Sequence, residues 1–171
     1  MKIAIAGSHG VGKTTFARQL ARKLGYRYIP DIVRKEAPKK GLVINEKTPP
    51  EVQFYFVATQ WLLEAKTPES WIADKSLLDY LVYGEIVVKE KLFRRTIREL
   101  VKRNADYDLV FYLPIEFPMM QDGLRSNDEE FRQVVDVRYK KTLKELGIKY
   151  IIVSGSPKER VRQAMRYLNR K

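Results

Sequence analysis

The chain has 171 residues, 44% of them hydrophobic and 32% charged, which is a composition typical of one compact globular domain with a substantial core. It contains no cysteine and one histidine, which excludes disulfide scaffolds, thiol nucleophiles, iron–sulfur clusters and Cys- or His-based metal sites, so that any metal must be held by oxygen. Lys and Arg number 33 against 21 Asp and Glu, and the net charge of +12 predicts attraction to anions such as nucleotides, nucleic acid or a membrane surface.

Five short segments rich in Ile, Val, Tyr or Phe predict buried strands. They are residues 1–6, 26–29, 71–73, 108–113 and 150–153. Helical segments separate them, which favours a single α/β domain over residues 1–171: a five-stranded parallel sheet with helices on both faces and ligands at the carboxyl ends of the strands. Residues 35–50 and 114–127 are predicted to be mobile surface connections.

Local signals place the helix ends. Thr48, Ser126 and Ser156 each stand three residues before a glutamate, which predicts hydroxyl caps at helix starts. Gly25 and Gly147 follow helical runs and suit C-terminal caps. No apolar run approaches the ~18 residues that a membrane span needs, and residues 3–6 are too short for a secretory signal core. We therefore expect an intracellular, cytoplasmic protein that does not span a membrane.

The strongest motif follows the first strand and fits G-x-x-x-x-G-K-[ST], a loop that cradles phosphates between a strand and a helix. It consists of Gly7, Ser8, His9, Gly10, Val11, Gly12, Lys13 and Thr14. Lys13 is expected in an open site, reaching the β- and γ-phosphates, while Thr14 offers its hydroxyl to Mg²⁺ and Thr15 contacts the α-phosphate. His9 is interpreted as a loop residue near phosphate without a catalytic role. The dinucleotide fingerprint G-x-G-x-x-G is not satisfied, which disfavours a nicotinamide cofactor.

Two aspartates follow predicted strands. Asp74 ends the third strand, where a carboxylate can bind Mg²⁺ or accept a proton from an attacking hydroxyl. Asp31 follows the second strand and is the rival for the proton, or orients the acceptor while Asp74 serves the metal. Ser76 and Asp79 are interpreted as a helix cap.

Two later loops are candidates for contacts with the nucleotide. Arg125 lies in the glycine-containing stretch 122–125, which is suited to close over bound nucleotide as a lid and to neutralise the transferred phosphoryl group. Arg132 and Arg138, further along, are either helpers of Arg125 or ordinary surface arginines, and the surface position is favoured for both. The loop containing Ser156 and Pro157 either touches a purine through its backbone or simply caps the last helix.

These motifs together resemble small P-loop kinases over nearly the whole chain. The resemblance is strongest to the AAA-like ATPase/kinase group that includes ribosylnicotinamide kinase domains, and more distant to deoxynucleoside and thymidylate kinases. It implies a P-loop NTPase fold, ATP or GTP with Mg²⁺, and transfer of the terminal phosphoryl group to a small acceptor. It also implies that Asp31 and Arg34 face the acceptor, that Arg125 is a lid arginine, and that Ser156 and Pro157 lie by the base. Lys75 stands where nucleoside kinases carry an arginine.

The acceptor pocket is predicted from the helix over residues 51–65. Gln53 and Gln60 are seven residues apart and therefore share a face, and Tyr83 on the next helix is a further candidate. The basic stretch 89–103 is either a nucleic-acid face or a solvated helix face, in which Leu92, Phe93, Ile97, Leu100 and Val101 supply the core stripe.

The sequence thus predicts a phosphotransferase acting on a nucleoside or nucleotide, with Lys13, Asp74, Arg125 and Asp31 as its catalytic residues. The alternatives are an NTPase that switches contact with RNA, DNA or a protein, and a kinase of polynucleotide ends.

Overall fold

The computed structural model describes residues 1–42, 48–118 and 129–170. Strands in this part of the chain are β1 (Lys2–Ala6), β2 (Arg27–Ile29), β3 (Trp71–Ala73), β4 (Leu109–Tyr112) and β5 (Ile151–Ile152). Helices are α1 (Lys13–Leu24), α2 (Ile32–Glu36), α3 (Pro50–Lys66), α4 (Leu77–Val87), α5 (Lys91–Asn104), α6 (Glu129–Glu145) and α7 (Pro157–Leu168). Every strand forms where the sequence predicts one.

The strands form one parallel sheet in the order β2-β3-β1-β4-β5. The first strand is central, and Ala4 lies in register with Ala73 of β3 on one side and Val110 of β4 on the other. This α/β arrangement is the predicted P-loop fold. It brings the carboxyl ends of β1, β3 and β4 to the same edge of the sheet, where the loop after β1 begins.

Helices cover both faces of the sheet. Successive side chains of a strand point to opposite faces, so β1 contributes to a core on each side. Ile3 and Ile5 face a core formed with α1 and α7, in which Phe16 is fully buried. Ala4 and Ala6 face a second, larger core, formed with α2 to α6. The small side chains on that face of β1 leave room for the larger helical layer.

Two of the predicted caps form. Ser76 with Asp79, and Ser156 with Glu159, make complete capping boxes at the starts of α4 and α7. Gly25 ends α1 with a left-handed φ of 68°. The predicted cap at Thr48 is wrong by one residue, because α3 begins at Pro50 and Pro49 occupies the cap position.

Three further expectations need correction or lie outside the described residues. The connection predicted over residues 35–50 includes the end of α2 and a 3₁₀ turn at Pro38–Lys40. Leu92, predicted in the core stripe of α5, is 77% exposed, whereas Phe93, Ile97 and Val101 are buried. Arg125, Ser126 and most of the predicted lid lie outside the described residues. Within residues 1–42, 48–118 and 129–170, no helix is long and apolar enough to cross a membrane.

Candidate functional site

The loop between β1 and α1 curls around three glycines. Gly7, Gly10 and Gly12 have φ angles of 134°, 70° and 90°, in the region that side chains rarely adopt. At Gly7 space is also limiting, because a Cβ there would lie 2.4 Å from the backbone oxygen of Leu113. The loop therefore needs glycine for the conformation that turns its amide N–H groups toward an anion.

The side chain of Lys13 folds back over this loop. Its ammonium donates to the backbone oxygens of Gly7 at 2.7 Å and Ser8 at 2.8 Å, and lies 3.7 Å from Oδ1 of Asp79. The side chain is only 8% exposed, so the expectation of an open site is wrong for this lysine. Thr14 is half-buried and Thr15 exposed in the first turn of α1.

Asp79 is a carboxylate that the sequence analysis assigned only to a helix cap. Its Oδ2 does accept the backbone N–H of Ser76 at 2.9 Å, as predicted. Its Oδ1 faces Lys13, and the residue is 1% exposed. Burial raises the pKa of Asp79, while the charges of Lys13 and Lys75 oppose that rise. No local signal distinguishes this second role, because the cap alone explains an aspartate at that position.

Asp74 follows β3 at the same edge of the sheet. It is 3% exposed, and its Oδ2 accepts the hydroxyl of Tyr28 at 3.0 Å. Burial and the charge of Asp74 raise the pKa of Tyr28, which keeps the phenol protonated and donating. The backbone N–H of Asp74 donates to the oxygen of Ile29, so β2 helps to fix this carboxylate.

The donor set fits a magnesium ion. The Thr14 hydroxyl and the Asp74 carboxylate are the oxygen ligands that Mg²⁺ prefers. Across the described ranges, no group of three or more His, Asp or Glu side chains forms a cage for a metal. An ion held by these two residues would therefore take its remaining ligands from nucleotide oxygens and water, which is the usual arrangement for Mg²⁺.

An aromatic cluster packs on the phosphate loop. His9 is 2% exposed, its Nδ1 lies 3.1 Å from the hydroxyl of Tyr83, and its ring centre lies 5.9 Å from that of Phe131. The Lys75 ammonium lies 5.4 Å from the ring centre of Tyr83. Tyr83, a predicted acceptor contact, is thus placed directly against the loop.

The other predicted acceptor residues are more dispersed. Asp31 is 5% exposed and caps α2, accepting the backbone N–H groups of Val33 and Arg34. Arg34 itself is exposed on α2. After burial, the charge of Asp31 is the largest cause of the raised pKa of Tyr80 on α4.

Gln53 and Gln60 share the buried face of α3, as their spacing predicts. The Gln60 amide nitrogen donates to Oε1 of Glu64 and to the backbone oxygen of Lys75, both at 2.8 Å. Gln60 is fully buried, so it supports the segment that carries Asp74.

Two arginines contact the loop without having been predicted to do so. Arg132 is fully buried, against the expectation of a surface position, and its Nε donates to the backbone oxygen of His9 at 3.1 Å. Arg160 is 3% exposed, and its Nη1 donates to the backbone oxygen of Val11 at 2.5 Å. Ser156 and Pro157 begin the helix that carries Arg160.

The chain is similar in sequence to known proteins. A family model described as an AAA domain matches residues 2–160. A protein of Pyrococcus furiosus named "Putative adenylate kinase" is 33% identical over 105 residues, which cover 61% of this chain and 56% of that protein. The match therefore spans little more than half the length of that relative.

Solved structures share the fold. The NadR protein in complex with NR superposes with a TM-score of 0.82 at 20% identity, over 99% of this chain and 50% of that one. Deoxyadenosine kinase from M. mycoides, with the products dCMP and a flexible dCDP bound, superposes with a TM-score of 0.74 at 22% identity, over the full length of both chains. These likenesses confirm the predicted kinase-like P-loop fold.

Proposed function

The chain belongs to the AAA domain family, and from this membership and the geometry of its loop we propose that it transfers the terminal phosphoryl group of ATP or GTP to a nucleoside or nucleotide. One observation carries the proposal: the loop, its buried Lys13 and the carboxylates of Asp74 and Asp79 meet at one edge of the sheet. Phosphoryl transfer needs positioning and charge neutralisation more than covalent chemistry, and these groups supply both.

On the donor side, the loop amides and Lys13 would bind the β- and γ-phosphates. Thr14 and Asp74 would hold Mg²⁺, which would supply positive charge to stabilise the phosphate oxygens. The contacts of Lys13 with Gly7, Ser8 and Asp79 hold its ammonium at the loop before the nucleotide binds.

On the acceptor side, the proposal assigns contacts with the acceptor to Tyr83 of α4 and Gln53 of α3. In this proposal Asp31 orients the acceptor hydroxyl, and Asp74 takes its proton or serves the metal. The names of similar proteins support a nucleoside or nucleotide as the acceptor, since they include an adenylate kinase and a deoxyadenosine kinase.

The test is a screen of acceptors with ATP or GTP labelled in the terminal phosphate. Purified protein and Mg²⁺ are incubated with each nucleoside and nucleoside monophosphate, and the products are separated by chromatography. We expect label on at least one acceptor and none when Lys13→Ala is used. Release of labelled phosphate at an unchanged rate with every acceptor, with no labelled nucleotide formed, would instead identify a hydrolase.

A second candidate is that hydrolysis switches contact with RNA or DNA. It is favoured by exposed basic side chains on α5, among them Arg95, Lys102 and Arg103, and by the net charge of +12. Two of them, Arg95 and Arg103, line an open groove with Trp61, which is 39% exposed. A solvated helix face explains the same residues, so the small acceptor is preferred.

A further inference from the structure

The phosphate loop is held from two directions by arginines that the proposed chemistry does not use. Arg132 reaches it from α6 and Arg160 from α7, and the two bind different backbone oxygens, those of His9 and Val11. Both guanidinium groups are almost fully buried. Burying a charged group is costly unless it is paired, so contacts of this kind point to a specific role.

Each arginine is itself fixed by a carboxylate. Arg132 Nη1 donates to both carboxylate oxygens of Glu129, at 3.2 and 3.0 Å, and Arg160 Nη2 donates to Glu116 at 2.7 Å. The Ser8 hydroxyl donates to the backbone oxygen of Arg132 at 2.9 Å, which adds a second link between the loop and α6. The guanidinium groups therefore have little freedom to follow the loop if it moves.

The geometry of the peptide bond gives these contacts a consequence on the opposite side of the backbone. In a planar trans peptide, the C=O of one residue and the N–H of the next point in opposite directions. Holding the oxygens of His9 and Val11 toward the protein therefore turns the N–H groups of Gly10 and Gly12 away from it. Burial agrees, because His9 and Val11 are buried whereas both glycines are exposed.

The space at Gly12 shows how closely the second arginine is fitted. A Cβ at this position would lie 3.2 Å from Nη1 of Arg160, so the guanidinium packs directly against the glycine backbone. The φ of Gly12, 90°, is accessible to glycine and strained for other residues.

We propose that Arg132 and Arg160 are positioning residues that fix the 9–10 and 11–12 peptide planes and so hold the Gly10 and Gly12 amides toward a nucleotide phosphate before it binds. The inference rests on the proposed function for the identity of the anion. Binding groups already held in their bound orientation lose less conformational entropy on association, and this strengthens binding without any new contact to the ligand.

The test begins with ligand-free protein. In Arg132→Met and Arg160→Met the side chain keeps an unbranched apolar stem and loses every donor. Amide NMR spectra are recorded for both variants and the wild type. In Arg132→Met we expect the Gly10 amide resonance to shift more than that of Gly12. In Arg160→Met we expect the Gly12 amide resonance to shift more than that of Gly10. Arg166→Gln, at an exposed position of α7, is the control for lost charge and should move neither amide.

Affinity supplies the second readout. Calorimetric titration with Mg²⁺–ATP and with inorganic tripolyphosphate should show binding weakened about tenfold in each Met variant, the effect expected for losing one hydrogen bond to a charged group. Circular dichroism checks the fold. If a Met variant does not fold, Arg132→Lys or Arg160→Lys replaces it, because lysine keeps the charge and cannot hold the carbonyl and the carboxylate with one planar fork.

The outcomes separate the two proposals. Folded variants with unchanged Gly10 and Gly12 amides and wild-type affinity for tripolyphosphate would overturn the positioning role. Failure of the wild-type protein to bind ATP, GTP or tripolyphosphate would overturn the proposed function, whereas the shifts in ligand-free protein would still report whether the arginines orient the loop.

Discussion

Lys13 shows how strongly a single side chain is constrained at this site. Its ammonium is shared among two backbone oxygens and Asp79, all within 3.7 Å, while the rest of the side chain is buried. A nucleotide phosphate must draw the lysine from these partners or bind beside them. The residue therefore contributes to the stability of the loop as well as to the proposed chemistry.

Lys13→Ala should remove phosphoryl transfer, lowering kcat by about a thousandfold or more, because the lysine charge that stabilises the negative transferred phosphoryl group is lost. The burial of Lys13 adds a second effect. Asp79 would lose its ion-pair partner, which should cost about 1–3 kcal/mol of unfolding free energy. Turnover and thermal melting measure the two effects separately. Near-normal turnover in the folded variant would remove Lys13 from the site.

Gly7→Ala tests the close approach between the loop and the end of β4. The new Cβ would lie 2.4 Å from the Leu113 oxygen, and the alanine would have to adopt a φ of 134°. We therefore expect a loss of more than about 2 kcal/mol in the free energy of unfolding. Gly25→Ala is the matched control, since Gly25 also has a left-handed φ but no atom lies within 4 Å of its added Cβ. That variant should lose only about 1 kcal/mol. Equal losses in urea unfolding would contradict the steric argument.

At the scale of elements, α3 and α4 are joined by a buried carboxyl group. Glu64 Oε1 accepts the Gln60 amide at 2.8 Å and the backbone N–H of Leu77 at 3.3 Å, while Oε2 accepts the Tyr107 hydroxyl at 2.9 Å. This junction fixes the first turn of α4, two residues before Asp79. Burial raises the pKa of Glu64 to about 7, and its hydrogen bonds only partly oppose that rise.

A raised pKa makes the folded protein bind this proton more tightly than the unfolded chain does. The stabilisation is therefore full below the unfolded pKa of 4.5 and is lost as the pH rises through about 7. The contribution of Glu64 should fall by roughly 3 kcal/mol across that range. Glu64→Gln should flatten the decline, measured by urea unfolding at several pH values. An identical decline in both proteins would show that Glu64 does not titrate in this range.

The elements and the loop were predictable because their signals are local. An apolar run bounded by glycine or proline predicts a strand, and a hydroxyl three residues before a carboxylate predicts a cap, as at Ser156. The roles of Arg132 and Arg160 were not predictable, since each contacts a backbone oxygen more than 120 residues away, and backbone oxygens carry no sequence signal. Asp79 was hidden by its own cap, which already accounts for an acidic residue there.

Across the whole molecule, the excess of positive charge is only partly available to a partner. Arg98 on α5 is paired with Glu85, which is buried, and with Glu145 at 2.9 Å. Substituting Arg98 would remove the nearer of the two arginines that pair with buried Glu85 in the described part of the chain, the other being Arg138 at 3.8 Å, and would therefore change stability as well as binding. Arg95, Lys102 and Arg103 are exposed and test the surface more cleanly.

Replacing Arg95, Lys102 and Arg103 with Gln should leave phosphoryl transfer to a small acceptor nearly unchanged, because these side chains lie on α5 and do not belong to the loop. A nucleic-acid binder would behave differently. Its affinity for a single strand would fall with salt by a log–log slope of about −0.7 per neutralised phosphate, and the triple variant would flatten that slope. Turnover and oligonucleotide binding at several salt concentrations distinguish the two cases.

The two arginine contacts also affect the order in which the protein folds during its synthesis. Arg132 and Arg160 lie 123 and 149 residues after the carbonyls that they bind, so the loop is synthesised well before either arginine. Because the chain leaves the ribosome from its amino-terminal end, the glycine-rich loop emerges before either arginine and at first lacks both contacts. Contacts so distant in sequence also carry a large loop-closure cost, which slows folding. On the proposed roles of the loop and of the two arginines, tight triphosphate binding is withheld from the nascent protein until α7 has docked, and such binding would report that docking.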